Sequence, residues 1–252
     1  FKQKTAYEIV DCDWSSDVCS SDLIVNLLPE LLGTYGDQGN VATLSWRLTQ
    51  RGIANQIIQS SARETIPTDG DFYFLGGGED DAQVAAVELL RNGALQSALK
   101  NGAQLFAVCA GFQLLGESFP ASNNRTISGL NILPIKTESA SPRSVGELLS
   151  ESTLPIGALT GFENHGGQTK FTDRLQPLGI VQRGIGNHLS EKCDGAVTNQ
   201  IIATYMHGPA LVRNPALADY FLNRHPDLAG KLTEIDDDVF KKLHAERVAA
   251  TK

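Results

Sequence analysis

Two side chains with the chemistry for acyl transfer, Cys109 and His207, each follow a short apolar stretch of this chain. Residues 105–108, ahead of the cysteine, have the pattern of a buried strand, and small residues with helical apolar spacing come after it. This layout predicts a nucleophile elbow, a tight strand-to-helix turn that lifts one side chain out of the sheet. Free N–H groups and the dipole at a helix N-terminus favour the thiolate, which makes Cys109 a candidate nucleophile.

The histidine completes the minimum set for thiol-based acyl transfer. His207 follows a predicted strand at 201–206, and sites in open α/β sheets form beyond the carboxyl ends of the strands. There the imidazole would keep the Cys109 thiol ionised and later protonate the leaving amine. Each residue also has a purely structural interpretation, since a cysteine after an apolar run is often inert and a histidine at a strand end often only supports packing.

A run of three glycines, residues 76–78, follows a further predicted strand at 72–75. We predict that the backbone N–H groups of Gly77 and Ala110 hold a developing oxyanion. The same glycines would also suit a plain tight turn or a phosphate cradle. The chain has no G-x-x-x-x-G-K-[ST] motif, and no G-x-G-x-x-G follows its first strand, so nucleotide binding by these motifs is weakly supported.

Composition narrows the class of protein. The 252 residues, 41% of them hydrophobic, are typical of a soluble globular chain long enough to bury a large core. A net charge of −8 argues against nucleic acid or an anionic membrane as the main partner. Four scattered cysteines without a C-x-x-C pair predict a cytoplasmic location and no metal site. We find no apolar run long enough to span a bilayer and no signal-peptide pattern.

The fold class follows from strand and helix patterns that alternate along the chain. They predict an α/β protein with a mostly parallel central sheet flanked by helices, with strands at 23–28, 56–59, 72–75, 105–108 and 201–206. Four more strands are expected as antiparallel additions to this sheet, at 132–137, 145–149, 156–162 and 178–182. Helices are predicted at 82–91, 214–224 and 236–250, and Asp37 or Asn40 is predicted to cap the helix after the first strand.

The first residues do not match the rest of the sequence. Residues 1–22 have no helix or strand period and resemble a translated sequencing-adapter read-through, so we treat them as an artefactual or disordered extension. Cys12 and Cys19 therefore receive no role. Residues 23–252 are predicted to form a single domain, because no Pro/Ser-rich linker divides them.

Several motifs, in their order along the chain, resemble one family. Cys109-x-Gly111-x-Gln113, the upstream glycines and the late strand-end histidine resemble class I glutamine amidotransferases. The segments 34–40, 161–167 and 204–209 are similar to the cobyric-acid-synthase-like branch, and most of all to the glutaminase subunits of lipid II isoglutaminyl synthases. The resemblance covers residue 23 to the C-terminus and implies that 23–252 is a glutamine amidotransferase domain.

The resemblance implies roles for particular residues. Cys109 would attack the side-chain amide of glutamine, and His207 would protonate the departing ammonia and then activate water. Gln113, Asn164 and His165 match regions that touch bound glutamine in the superfamily, although each suits a structural role as well. Arg143 matches a substrate-binding arginine, and a guanidinium pairs with a carboxylate through two parallel hydrogen bonds.

One position departs from the usual pattern of the class. Many members carry an acid two residues after the histidine, and here that position holds Pro209. The resemblance implies that a Mur-ligase-like synthetase subunit, joined to this chain in a heterodimer, supplies the acid. Because an imidazole without an orienting carboxylate loses its tautomer control, we predict low glutaminase activity for the isolated chain.

The same synthetase is expected to use the ammonia. This chain has no ATP-binding motif, so we expect no cofactor here and expect ATP and Mg²⁺ on the partner, which would amidate the α-carboxyl of D-glutamate in the lipid II stem peptide. The alternatives are the amidotransferase part of a cobyrinate or cobyric acid amidating system, and a catalytically silent binding subunit of the same fold. A cysteine peptidase or stress protein on a related sheet is a further alternative.

Overall fold

A computed structural model describes residues 22–122 and 125–251 of the chain. The predicted extension at 1–22 lies outside the described residues except for Asp22, which is the first residue of a strand. The strands are β1 (Asp22–Leu27), β2 (Asn55–Ser60), β3 (Phe72–Leu75), β4 (Gln104–Val108), β5 (Ser118–Ala121), β6 (Arg125–Ser128), β7 (Ile135–Ser152), β8 (Ala158–Phe171), β9 (Gly179–Arg183), β10 (Cys193–Asp194), β11 (Ala196–Val197) and β12 (Ile201–Thr204). The helices are α1 (Gly39–Thr49), α2 (Asp80–Leu90), α3 (Ala94–Lys100), α4 (Ala110–Leu114), α5 (Ala210–Arg213), α6 (Pro215–Leu222) and α7 (Asp238–Thr251).

The central sheet has the predicted α/β architecture. Its strand order is β11-β12-β4-β3-β1-β2, and every neighbouring pair is parallel except β11 and β12. All residues of β3, β4 and β12 are buried, as expected for strands covered on both faces. The carboxyl ends of β1, β3, β4 and β12 therefore open on one edge of the sheet, and the loops after them can meet there.

The remaining strands form a second sheet, with the order β10-β9-β7-β5-β6 and β8 paired to β7. This differs from the expected additions to the central sheet, because β11 alone joins that sheet in antiparallel sense among the described strands. β7 and β8 form a long antiparallel hairpin, and alternate residues of β8 are buried. Such alternation is typical of a sheet with one face packed and one face exposed, which explains why these strands do not enter the core of the central sheet.

The two sheets join beside the histidine that the sequence singles out. Phe162 in β8 and His207 exchange two backbone hydrogen bonds of 3.1 and 2.8 Å. The neighbouring Gly161 must lack a side chain, because a Cβ there would lie 2.4 Å from the Cβ of Met206. β8 thus fixes the backbone on which His207 is carried. None of the helices in the described part of the chain is long and apolar enough to cross a membrane.

A buried carboxylate supports the end of β12 from the other side. Asp194 accepts a hydrogen bond of 3.0 Å from the backbone N–H of Tyr205 and another from the Thr204 hydroxyl. Its complete burial raises its pKa to about 6, although these two hydrogen bonds oppose the rise. The folded chain therefore retains a proton on Asp194 at pH values where the unfolded chain has lost it.

We expect this proton to make stability depend on pH. As pH rises from about 4 through 6, the free energy of unfolding should fall by on the order of 2 kcal/mol from Asp194 alone, because the buried carboxylate then becomes charged. Asp194→Asn should remove this decline, and urea unfolding at a series of pH values measures it. Asp173→Asn, at an exposed aspartate, serves as control, and an unchanged decline in Asp194→Asn would contradict the assignment.

Candidate active site

Cys109 occupies a strained turn between β4 and α4, as the sequence predicts. Its backbone has φ 52° and ψ −109°, a conformation that a non-glycine residue rarely adopts. Two residues on, Gly111 lets α4 pack tightly on the neighbouring strand, since a Cβ there would lie 2.6 Å from the Leu75 carbonyl oxygen. The geometry is that of a nucleophile elbow, with the thiol at the N-terminus of the helix.

The imidazole of His207 is held by the carboxylate of Asp37, one of the two residues that the sequence predicts as a cap of α1. Its Nδ1 lies 2.9 Å from Oδ2 and 3.0 Å from Oδ1 of Asp37, and both side chains are buried. Its Nε2 is also buried and forms no hydrogen bond with any residue in the described ranges. The carboxylate fixes the ring by one nitrogen and leaves the other free to exchange a proton.

Asp37 therefore corrects two predictions. The side chain does not cap α1, since it accepts hydrogen bonds from His207 and from the Gly77 N–H. The premise that the chain lacks an orienting carboxylate is also wrong. The expectations that a partner supplies the acid and that the isolated chain has low activity therefore lose their basis. Pro209, at the usual position of the acid, instead lies against the loop that carries Asp37, because a Cβ on Gly39 would come within 2.4 Å of its ring.

Backbone contacts anchor this loop, residues 33–40, between two segments of the site. The N–H of Thr34 donates to the carbonyl oxygen of Gly77 at 3.1 Å, which binds the loop to the glycines after β3. The side chain of Asn40 accepts a 2.8 Å hydrogen bond from the N–H of Leu211, which binds it to the segment after His207. Asp37 is thereby placed by the segments that follow β3 and β12, the strands on either side of β4.

The glycine loop is where the three side chains converge. A Cβ built on Gly77 would lie 2.8 Å from Cε1 of His207, 3.1 Å from Oδ2 of Asp37 and 3.6 Å from Cβ of Cys109. The N–H of Gly77 donates to Asp37 at 3.0 Å, so the prediction that it holds an oxyanion is wrong: that hydrogen is already used. Ala110, the first residue of α4, keeps its predicted position immediately after the cysteine.

Electrostatics favour a protonated histidine. Burial alone lowers the pKa of His207, but the hydrogen bond that its Nδ1 donates to Asp37, together with the nearby Cys109 sulfur, outweighs burial and raises the pKa above its ordinary value. A protonated imidazole beside the sulfur is the arrangement that stabilises a thiolate nucleophile.

A cavity of about 210 Å³ opens beside Cys109 and contains most of the other predicted residues. Arg143, Gln113, His165 and Ala110 line it together with the cysteine. Arg143 lies in a bulge of β7, where the register with β8 shifts between Ser139 and Ser144. A bulge re-aims a side chain relative to a regular strand, which accounts for an arginine at the cavity wall.

Gln113 and His165 are held by a buried network behind the cavity. Gln113 accepts a hydrogen bond from Gln83 and donates one to the Tyr205 hydroxyl at 3.0 Å. The ring of His165 stacks on Tyr205 with centroids 3.9 Å apart, and its Nε2 lies 3.3 Å from Glu163. Both side chains are therefore held at the cavity wall by structural contacts, and their role in binding glutamine stays a prediction.

A second group of ionisable residues lies at the opposite edge of the central sheet. Carboxylate oxygens of Asp22 and Asp71 and a ring nitrogen of His225 all lie within 4.8 Å of one another. Asp22 begins β1 and Asp71 directly precedes β3, so this group is at the amino ends of strands whose carboxyl ends carry the candidate site. It takes no part in the arrangement around Cys109.

Comparison with known proteins identifies the class. Residues 24–215 match the model of the CobB/CobQ-like glutamine amidotransferase domain, so the chain belongs to this family. It is 33% identical over 231 residues, covering 89% of this chain and 93% of the relative, to the lipid II isoglutaminyl synthase (glutamine-hydrolyzing) subunit GatD of Staphylococcus aureus (strain N315). The Streptococcus pneumoniae subunit of the same name is 30% identical, covering 77% of this chain and 76% of the relative. A solved glutamine amidotransferase at 19% identity shares the fold, with a TM-score of 0.54 over 80% of this chain and 98% of its own.

The contact between Asp37 and His207 yields a direct prediction. Asp37→Asn keeps the size of the side chain but removes its charge, so the pKa of His207 should fall and the imidazolium should be lost at lower pH. A titration of the His207 ring by NMR measures this shift. Asp71→Asn, which removes a carboxylate beside His225, is the matched control and should leave His207 unchanged; an equal titration curve in Asp37→Asn and wild type would refute the contact.

Proposed function

We propose that this chain is the glutaminase subunit of a lipid II isoglutaminyl synthase and hydrolyses glutamine to glutamate and ammonia. The observation that carries the proposal is a cysteine, a histidine and an aspartate that surround Gly77, with the cysteine also on the wall of a cavity. The chain is similar along nearly its whole length to subunits of that name. The roles of the individual residues below belong to the same proposal.

Catalysis would begin at the elbow. The thiolate of Cys109 attacks the side-chain amide carbon of glutamine and forms a carbon–sulfur bond, while the carbonyl oxygen gains the negative charge. The N–H of Ala110 is placed to donate to that oxygen, as the first free amide of a helix. His207, protonated and held by Asp37, then gives the proton on Nε2 to the amide nitrogen, and the carbon–nitrogen bond breaks to release ammonia.

The second half of the reaction restores the cysteine. The neutral imidazole of His207 takes a proton from water, and the hydroxide attacks the γ-glutamyl thioester. The carbon–sulfur bond breaks and glutamate leaves. Asp37 keeps the ring in the tautomer with the proton on Nδ1 throughout, and this orientation is what a triad acid supplies.

The cavity wall suits the backbone end of glutamine. The Arg143 guanidinium would pair with the α-carboxylate, because it offers two parallel donors to a planar anion. Gln113, Asn164 and His165 would fix the remaining polar atoms of the substrate. A rigid wall favours this role, since pre-positioned groups lose little entropy when the substrate binds.

The ammonia would be used by a second subunit. Ammonia is mostly protonated at neutral pH and ammonium is not a nucleophile, so transfer within a protein complex preserves the reactive base. We propose that a Mur-ligase-like synthetase forms a heterodimer with this chain, binds ATP and Mg²⁺, and amidates the α-carboxyl of D-glutamate in the stem peptide. Because ATP is its cosubstrate, the pair would act in the cytoplasm.

Two other functions stay as alternatives. A component of a cobyrinate or cobyric acid amidating system would share the fold and the glutaminase chemistry, but similarity over nearly the full length of the named subunits favours the first proposal. A silent binding subunit would have no need for a buried aspartate that orients the histidine.

Reconstitution tests the proposed function. The chain and a Mur-ligase-like synthetase from the same organism should convert lipid II to its amidated form with glutamine and ATP, as seen by mass spectrometry. Cys109→Ala should abolish the reaction with glutamine but leave the reaction with a high concentration of ammonium salt, because the synthetase is then intact. Failure of the wild-type pair with glutamine, when ammonium salt works, would contradict the proposal.

A further inference from the structure

Tyr35 is a residue of the site that the mechanism above leaves unused. It lies in the loop that carries Asp37, and its φ of 60° is unusual for a bulky side chain. Its side chain is 42% exposed, yet it is held in place by two contacts. Backbone strain at an exposed aromatic residue beside a buried histidine calls for a functional reason.

The first contact of Tyr35 is with the imidazole. The ring centroids of Tyr35 and His207 are 4.8 Å apart with an interplanar angle of 62°, an edge-to-face arrangement. Such pairs favour one relative orientation, and an aromatic ring within about 6 Å of a cation also attracts it. The groups that face His207 are then Asp37 at Nδ1, the Cys109 sulfur, and this ring.

The second contact leads to the cavity wall. The Tyr35 hydroxyl accepts a 2.7 Å hydrogen bond from Nδ2 of Asn164. The Oδ1 of the same asparagine accepts from Nε of Arg143 at 2.6 Å, and its backbone oxygen accepts from Nη2 at 3.0 Å. Asn164 is therefore a bridge between the tyrosine and the arginine.

From this continuous set of contacts we infer that Tyr35 is a positioning residue, which fixes the His207 ring through its own aromatic ring and the Arg143 guanidinium through Asn164. The inference rests on the proposed glutaminase function. It assigns the two ends of Tyr35 separate effects: the ring acts on the chemical step, and the hydroxyl acts on substrate binding. Because Tyr35 and Asp37 lie in the same strained loop, that one loop positions both residues.

Two variants separate these effects. Tyr35→Phe keeps the ring and removes the hydroxyl. KM for glutamine should then rise about three- to ten-fold, which is the effect of losing one hydrogen bond, and kcat should be nearly unchanged. Tyr35→Ala also removes the ring, so kcat should fall about ten-fold and the pKa of His207, measured by NMR, should fall relative to Tyr35→Phe. Val145→Ala, at an exposed residue paired with Asn164 across the hairpin, is the control and should match wild type.

A double-variant cycle tests the bridge itself. If the hydroxyl acts through Asn164, the rise in KM for Tyr35→Phe should disappear in an Asn164→Ala background. Full additivity of the two changes would overturn the inference, as would a Tyr35→Ala chain with unchanged kcat and His207 pKa. A Tyr35→Ala chain with a lower melting temperature but no change in either quantity would show a structural role only, and would also overturn it.

Failure of the inference is distinguishable from failure of the proposed function. A wild-type chain that hydrolyses no glutamine, alone or with its synthetase, contradicts the function. The inference is still decided in that case by the NMR titration of His207 and by the calorimetric affinity of Cys109→Ala for glutamine with and without Tyr35→Phe. Active wild type with unaffected variants contradicts the inference alone.

Discussion

The buried hydrogen bond between Asp37 and His207 is the interaction on which the rest of the site depends. Both side chains are almost fully shielded from water, where an unpaired carboxylate would be costly, so each requires the other. The bond joins a loop near the start of the chain to a strand end 170 positions later. It fixes the orientation of the His207 ring and raises the pKa of His207. It also leaves Nε2 of that ring available to Cys109.

Local backbone constraints make this bond possible. The glycine loop admits no side chain at Gly77, because the histidine, aspartate and cysteine already surround that position. The β8 strand fixes the backbone of His207, and Pro209 packs on the loop that brings Asp37 inward. The second sheet is thus part of the site. It supplies Arg143 on the cavity wall and the β8 backbone that hydrogen-bonds to His207, while the central sheet supplies the turn that carries Cys109.

Much of this was predictable from the sequence, for identifiable reasons. Buried parallel strands such as β3 and β4 are continuous apolar runs, and the cysteine elbow has a local signature, so the α/β architecture and the position of Cys109 follow from short patterns. The separate second sheet was not predictable, because alternation along β7 and β8 shows which face is buried but not which sheet is joined. The short elements β5, β6 and α3 were missed, since four to seven residues carry little periodicity.

The contact between Asp37 and His207 is the part of the site that the sequence does not predict. Asp37 stands between glycines in a loop after the first strand, and a capping role was the local interpretation. Its partner is set by tertiary contacts of Thr34, Asn40 and Gly39, which no local pattern encodes. The usable signal was topological, since loops after parallel strands share one edge of the sheet and an acid there can reach a histidine on another strand end.

Because Asp37 orients His207 from within this chain, we expect the catalytic centre to need no residue from a partner. Glutamine turnover of the purified chain alone tests this most directly. We predict measurable hydrolysis by the wild-type chain, and a loss of about 10²-fold or more in kcat for Asp37→Asn that added synthetase does not restore, because the orienting carboxylate is then missing. Either of two results would contradict the account: a wild-type chain that hydrolyses no glutamine on its own, or an Asp37→Asn chain that is as active as wild type once the synthetase is added.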